Sequence, residues 1–292
     1  MRRPALLFSV AAFALMGLTA CGGKPKTEHG ADHGGGDAHA AAEGHGDAAD
    51  TGHGDAEHGG AQMAQIAHWS YEGDDGPTHW SQLGGDNKTC GTGHRQSPIN
   101  LSGMAGAKTV NMTLDYTSSA AKIQNLGHVV QVSPTDGGGV IMDNVRYKLI
   151  QFHFHTPSEH TIDGHRAAIE AHFVHKNDKG ELLVIGVLSD VGVADPMLAP
   201  IWTYLPTDPG PAAVIPDVLI NARDLMPATE EFYAYSGSLT TPPCSENVTW
   251  LVYASPLSIS AEQVDAYQRL TGPNARPIQT AQGRDILHII GG

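Results

Sequence analysis

Residues 147–155 read YKLIQFHFH, and residues 168–175 read AIEAHFVH. Successive side chains of a strand alternate between its faces. The first run therefore predicts a strand with Gln151, His153 and His155 on one side and Phe152 and Phe154 on the other. The second predicts Glu170, His172 and Val174 on one side, with Phe173 and His175 opposite. Two imidazoles two residues apart on a strand stand about 6–7 Å apart, so their rings can converge on one ion. A third His from a neighbouring strand completes a three-nitrogen set. Three neutral His leave the Zn²⁺ charge intact and a fourth tetrahedral position open, the arrangement of catalytic zinc. Gln151 and Glu170 each precede a His by two on the same face, where they would fix ring tautomer and orientation. The pair alone also describes two solvent-facing histidines on an edge strand. A cupin-like jelly roll pairs the same motif with a distant His, so spacing leaves the fold open.

Outward from these runs the pattern is β-rich. Thr109–Tyr116, His128–Val132, Arg146–His155, Ala168–His175 and Leu182–Leu188 are short and alternating. Dense turn signals separate them, among them Asp75-Gly76-Pro77, Gly84-Gly85 and Gly137-Gly138-Gly139. The best helix candidate is Ser260–Thr271, with Ser260 as N-cap, Gln263 three residues on and Gly272-Pro273 as the stop. A weaker one spans Met197–Leu205. Residues 67–292 are of a length that makes one large domain rather than two.

The chain of 292 residues carries 17 Lys+Arg against 31 Asp+Glu, a net charge of −14. That balance excludes a nucleic-acid binder, which needs a basic footprint. Within 28–60 lie eight acids, no Lys or Arg, no aromatic residue, and six (His29, His33, His39, His45, His53 and His58) of the 17 His. Such a segment cannot bury enough surface to offset its ordering entropy, so a disordered tether is expected. Loose gathering of metal by its His and a merely solvated tether both fit. Ahead of it, Arg2 and Arg3 followed by the apolar run Ala5–Ala20 read as a secretory signal, too short to span a membrane. Leu18-Thr19-Ala20-Cys21-Gly22 resembles the lipobox of bacterial lipoproteins, with Cys21 the lipidated residue; an ordinary cleaved signal is the alternative. The expected organisation is a signal peptide at 1–20, a lipidated N-terminus and tether at 21–66, and a folded domain at 67–292. Gly22 and Gly23 carry no acidic retention signal, which favours a lipoprotein of the outer membrane facing the periplasm.

Five segments, in order, resemble the alpha-class carbonic anhydrases: HWSYEGDDGPTHW (68–80), RQSPINL (95–101), NLGHVVQV (125–132), QFHFHTPSEHTIDGHRAAIEAHFVH (151–175) and SGSLTTPPCSENVTW (236–250). The resemblance implies a mainly β fold with a few short helices, a large, twisted, mostly antiparallel central sheet, and zinc in a conical cleft. It implies reversible hydration of CO₂ to bicarbonate and a proton through zinc-bound hydroxide. The implied ligands are His153, His155 and His172, with Gln151 and Glu170 as outer partners of His153 and His172. Thr240 would orient the attacking oxygen while donating to Glu159, and Thr241 would line the bicarbonate site. Val174, Val184, Leu239, Val248 and Trp250 would form the apolar wall for CO₂. His128 would shuttle the proton, its unperturbed pKa of about 6.5 suiting the task, and Tyr71 would belong to the water network. Leu126 and Gln131 depart from the residues frequent beside the shuttle. Sulfonamide and anion inhibition, a Cys90–Cys244 disulfide as in bacterial members, and a homodimer are further implications. The remaining His, among them His79, His94, His160 and His175, are expected to be structural or surface residues.

Overall fold

Phe152, Phe154 and Phe173 pack on one side of the two central strands, and that choice orients everything on the other side. In a computed structural model describing residues 68–291, the first run forms the strand Val145–His155 and the second the strand Ile169–Lys176. The expected signal peptide, Cys21 and the tether lie outside the described residues. Val145–His155 and Ile169–Lys176 pair antiparallel, and Ile169–Lys176 pairs antiparallel with Leu182–Val191. Beyond these, Leu182–Val191 runs parallel to Glu246–Tyr253, which pairs antiparallel with Glu231–Ser238. Among the described residues these belong to one sheet of 13 strands, mostly antiparallel.

The sheet separates two apolar cores. Phe152, Phe154, Phe173, Leu183, Ile185, Leu251 and Tyr253 belong to the larger cluster on one face. Val184, Val248, Trp250 and Val252 belong to a second cluster on the other face, beside the histidines. The alternation read from the sequence is thus the alternation of the two cores.

Local chemistry sets the ends. The helix Ala261–Thr271 is closed by a reciprocal capping box between Ser260 and Gln263 and stops at Gly272, whose φ is 65°. The expected second helix is shorter than Met197–Leu205: a 3₁₀ turn at Pro196–Leu198 leads into one α turn, Ala199–Trp202. Thr109–Tyr116 is broken between Gly106–Val110 and Met112–Tyr116, which join different partners. His128 falls in a turn rather than a strand. Gly127 adopts φ 90°, open to glycine at no steric cost, and the strand Val130–Pro134 starts only after it. Cys90 and Cys244 form a disulfide that tethers the segment after Glu231–Ser238 to the N-terminal part of the domain.

Candidate metal centre

Strand register sets His153 opposite His172 and His155 opposite Glu170. Ring centroids lie 5.0 Å apart for His153 and His155, 5.4 Å for His153 and His172, and 4.5 Å for His155 and His172. One nitrogen from each ring lies within 4.8 Å of the other two. The outward nitrogens are tied off. His153 Nδ1 donates to Gln151 Oε1 at 2.8 Å, and His155 Nδ1 donates to the Asn274 carbonyl at 2.7 Å. Each Nδ1 therefore holds the proton, and each Nε2 turns a lone pair to the centre. His155 Nε2 is buried with no hydrogen-bond partner, a costly state for a polar atom unless a ligand satisfies it. His172 presents its other edge: Nε2 sits 3.0 Å from Glu170 Oε1, which leaves Nδ1 for the centre. This donor set fits a tetrahedral divalent ion with one position open.

Glu170 is gripped from several sides. Its Oε2 accepts from the backbone N–H of Glu159 at 2.9 Å and of His160 at 2.8 Å, while Oε1 accepts from His160 Nδ1 at 2.7 Å. With its proton on Nδ1, His160 accepts at Nε2 from the Tyr235 hydroxyl at 2.6 Å. The Tyr235 oxygen lies 2.8 Å from Ser97 Oγ, which itself accepts from the Ser238 N–H at 3.0 Å. A one-way series of donors thus ends on Glu170. Gly186 lies opposite His172, and a Cβ there would come within 2.8 Å of Glu170 Oε1. Burial alone would raise the Glu170 pKa, but His160 and His172 hold it well below the usual carboxylate range. Burial pulls His172 down, yet Glu170 reverses the shift and its pKa ends raised. Burial, then the neighbouring imidazoles, hold His153 well below 6.5.

Glu159 is fully buried. Its Oε1 accepts from the Arg276 backbone N–H at 2.8 Å. Its Oε2 has no hydrogen-bond partner, Thr240 included, and lies 3.7 Å from His155 Nε2 and 3.8 Å from His172 Nδ1. The Thr240–Thr241 segment is buried at Thr240 and held by the Cys244 N–H donating to the Thr241 carbonyl at 2.8 Å, next to the disulfide. All five residues expected in the apolar wall fall in one cluster: Val184, Val248 and Trp250 buried, Val174 and Leu239 packed against them. The Trp250 ring is 4.8 Å from that of His172.

A cavity of about 140 Å³ is lined by Gln151, His153, His155, Thr241, Tyr71, Leu126 and His128, among others. His128, Tyr71 and Leu126 also line an outer hollow of about 360 Å³, together with His68 and Glu72. His128 thus stands between the two, its ring centroid 4.1 Å from that of Trp69. Half-burial lowers its pKa from 6.5, and the His155 charge adds to the shift.

Three residues here were not anticipated as parts of the centre. His160, expected to be a structural or surface residue, is wholly buried against Glu170, and neither Tyr235 nor Asn274 carries any local signature of its role. Tyr235 lies 75 residues from His160 and Asn274 lies 119 from His155, beyond the reach of any periodicity.

The model of the eukaryotic-type carbonic anhydrases matches residues 75–290. The chain belongs to that family. A carbonic anhydrase of Pectobacterium atrosepticum is 41% identical over 229 residues, covering 78% of this chain and 93% of the relative. A hyperthermostable carbonic anhydrase from an active hydrothermal vent chimney superposes with a TM-score of 0.73 at 42% identity, over 76% of this chain and all of that one. The alpha-carbonic anhydrase of Thermovibrio ammonificans, solved with the inhibitor sulfanilamide, gives 0.71 at 39% identity, covering 76% and 99%. The large, mostly antiparallel sheet is the carbonic anhydrase fold, and the protein is an enzyme of that class that hydrates CO₂.

Proposed function

We propose that the chain hydrates CO₂ reversibly to bicarbonate and a proton at one Zn²⁺ held by His153, His155 and His172, with His128 as proton shuttle, in the cell envelope of a bacterium. The convergence of three imidazoles, two with their outer nitrogens hydrogen-bonded and the third with its outer nitrogen 3.0 Å from the Glu170 carboxylate, carries this reading. A zinc ion held there would lower the pKa of its water to about 7, supplying a nucleophile at neutral pH, as is general for this enzyme class.

The chain's own residues do the rest. Gln151, Glu170 and the Asn274 carbonyl hold the three rings in place, so little reorganisation is needed during the reaction. Glu159 Oε2, buried and unpartnered, is the acceptor for a hydroxyl proton. Thr240 would donate to it while accepting from the attacking oxygen, which turns that oxygen's lone pair toward carbon. Val174, Val184, Leu239, Val248 and Trp250 offer CO₂ a surface free of competing hydrogen bonds, and Thr241 takes up the bicarbonate that forms. His128, whose pKa half-burial lowers from 6.5, accepts the outgoing proton on the cavity side and releases it into the hollow lined by His68 and Glu72.

Stopped-flow CO₂ hydration by the purified 61–292 chain, with metal content measured on the same sample, tests this. Expected are one zinc per chain and activity abolished by a sulfonamide; one zinc with no hydration above buffer would overturn it. The envelope location rests on residues 1–21 alone. Metabolic labelling with a radioactive fatty acid should mark the full chain and leave Cys21→Ser unmarked; equal labelling of both would remove the anchor.

A further inference from the structure

Asn274 uses every polar atom it has. Its carbonyl accepts from His155 Nδ1, and its backbone N–H donates to the Thr156 carbonyl at 3.0 Å. Its side-chain Oδ1 accepts from the Thr156 N–H at 2.7 Å. Its Nδ2 donates to two carbonyls, that of Phe154 and that of His128, each at 3.0 Å. The amide orientation is fixed by this pattern, because one end faces an N–H and the other faces two oxygens.

The bond to His128 spans a gap in the sheet. Val130–Pro134 pairs with Val145–His155 only at Gln131 and Val132, so no ladder bond reaches back to His128. Two side chains bridge the interval. Tyr267 accepts from the Val130 N–H at 3.1 Å and donates to the Phe154 carbonyl at 2.8 Å, and Asn274 makes the parallel link at His128 itself, two residues earlier. The Phe154 carbonyl, between two of the expected ligands, receives both.

We propose that Asn274 is a positioning residue for proton transfer: its side-chain amide fixes the His128 turn against the strand that carries His153 and His155. This rests on the reading of His128 as shuttle. Backbone and side chain then divide the work. The carbonyl orients His155 and serves the hydration step; the amide sets the distance over which a proton must leave. Removal of the amide leaves the loop anchored, because the Arg276 N–H bonds Glu159 and its guanidinium donates to the Ser97 and Cys90 carbonyls.

The two steps are separable by kinetics. Proton export follows bicarbonate release, so it limits kcat and not kcat/KM. In the zinc-loaded enzyme, Asn274→Ala should lower kcat by roughly ten- to a hundredfold, the upper end being the loss that a 1 Å misplacement produces. Its effect on kcat/KM should be clearly smaller than that on kcat, and added imidazole should restore kcat. Asn274→Ser shortens the side chain beyond reach of the His128 carbonyl while keeping a polar group, so it should show the same split. Should Asn274→Ala fail to fold, the Ser variant decides. The double variant with His128→Ala should have a kcat no lower than His128→Ala alone. Parallel loss of kcat and kcat/KM, loss of zinc, or a further drop in the double variant would overturn the proposal while leaving the shuttle in place. A His128→Ala enzyme with unchanged kcat would overturn both.

Discussion

The two faces of the Val145–His155 and Ile169–Lys176 strands are built on opposite principles. On one, Phe152, Phe154 and Phe173 are fully or almost fully buried in apolar company, and the Phe152 and Phe173 rings stack 5.2 Å apart. On the other, Gln151, His153, His155, Glu170 and His172 form a network in which the unpartnered His155 Nε2 faces the centre. Packing there is replaced by directed hydrogen bonds, which specify geometry at a cost in desolvation. One face holds the fold together; the other holds a shape that zinc would complete. A single strand serves both because its side chains alternate.

The sharpest way to break this contrast is a pair of truncations one residue apart on the second strand. His172→Ala should abolish zinc binding and hydration together while the purified apoprotein keeps its far-ultraviolet circular dichroism. Phe173→Ala should cost about 3–5 kcal/mol of stability yet retain stoichiometric zinc below its melting transition. If instead Phe173→Ala released zinc from folded protein, the two faces would not be separable.

A smaller effect concerns His175, on the apolar side of the same strand. Its Nδ1 donates to the Leu183 carbonyl at 3.2 Å, and its Nε2 accepts from the Tyr116 hydroxyl at 2.8 Å. Burial pushes its pKa down to about 4. The unfolded chain binds a proton here near pH 6.5, the folded one only near 4, so the unfolded state holds more protons between those values. Stability contributed by the neutral ring is complete above about pH 6.5 and is lost as pH falls toward 4, by about 3 kcal/mol in all. Denaturant midpoints from pH 7 to 4 should show a fall in His175→Gln shallower by about that amount than in the parent; identical slopes would refute the assignment.

Much of this arrangement could be read from the sequence, and the boundary of what could has a physical origin. Period-two alternation placed His153, His155 and His172 on a face opposite the phenylalanines because it is a local property of extended chain. The helix after Ser260 was legible because its cap lies within four residues. His128 was misread as strand because one glycine at positive φ turns the chain before the ladder resumes. The series Ser97–Tyr235–His160–Glu170 left no trace, since its members stand 138, 75 and 10 residues apart. Individual apolar residues of the second core, such as Val184 and Val248, look like any others, and only a family resemblance separates a substrate wall from ordinary packing.

The hydrogen bond from His155 to Asn274 joins residues 119 apart, whereas the His153–His172 pairing closes between strands that are near neighbours in the chain. A ribosome therefore delivers all three imidazoles long before it delivers the carbonyl that aims one of them. Closing so long a loop costs entropy that only the nearly finished domain can offset. Strand pairing alone can bring the rings together, and docking of the segment around Asn274 converts them into an oriented set. Fidelity of that docking is in this sense a condition on the chemistry.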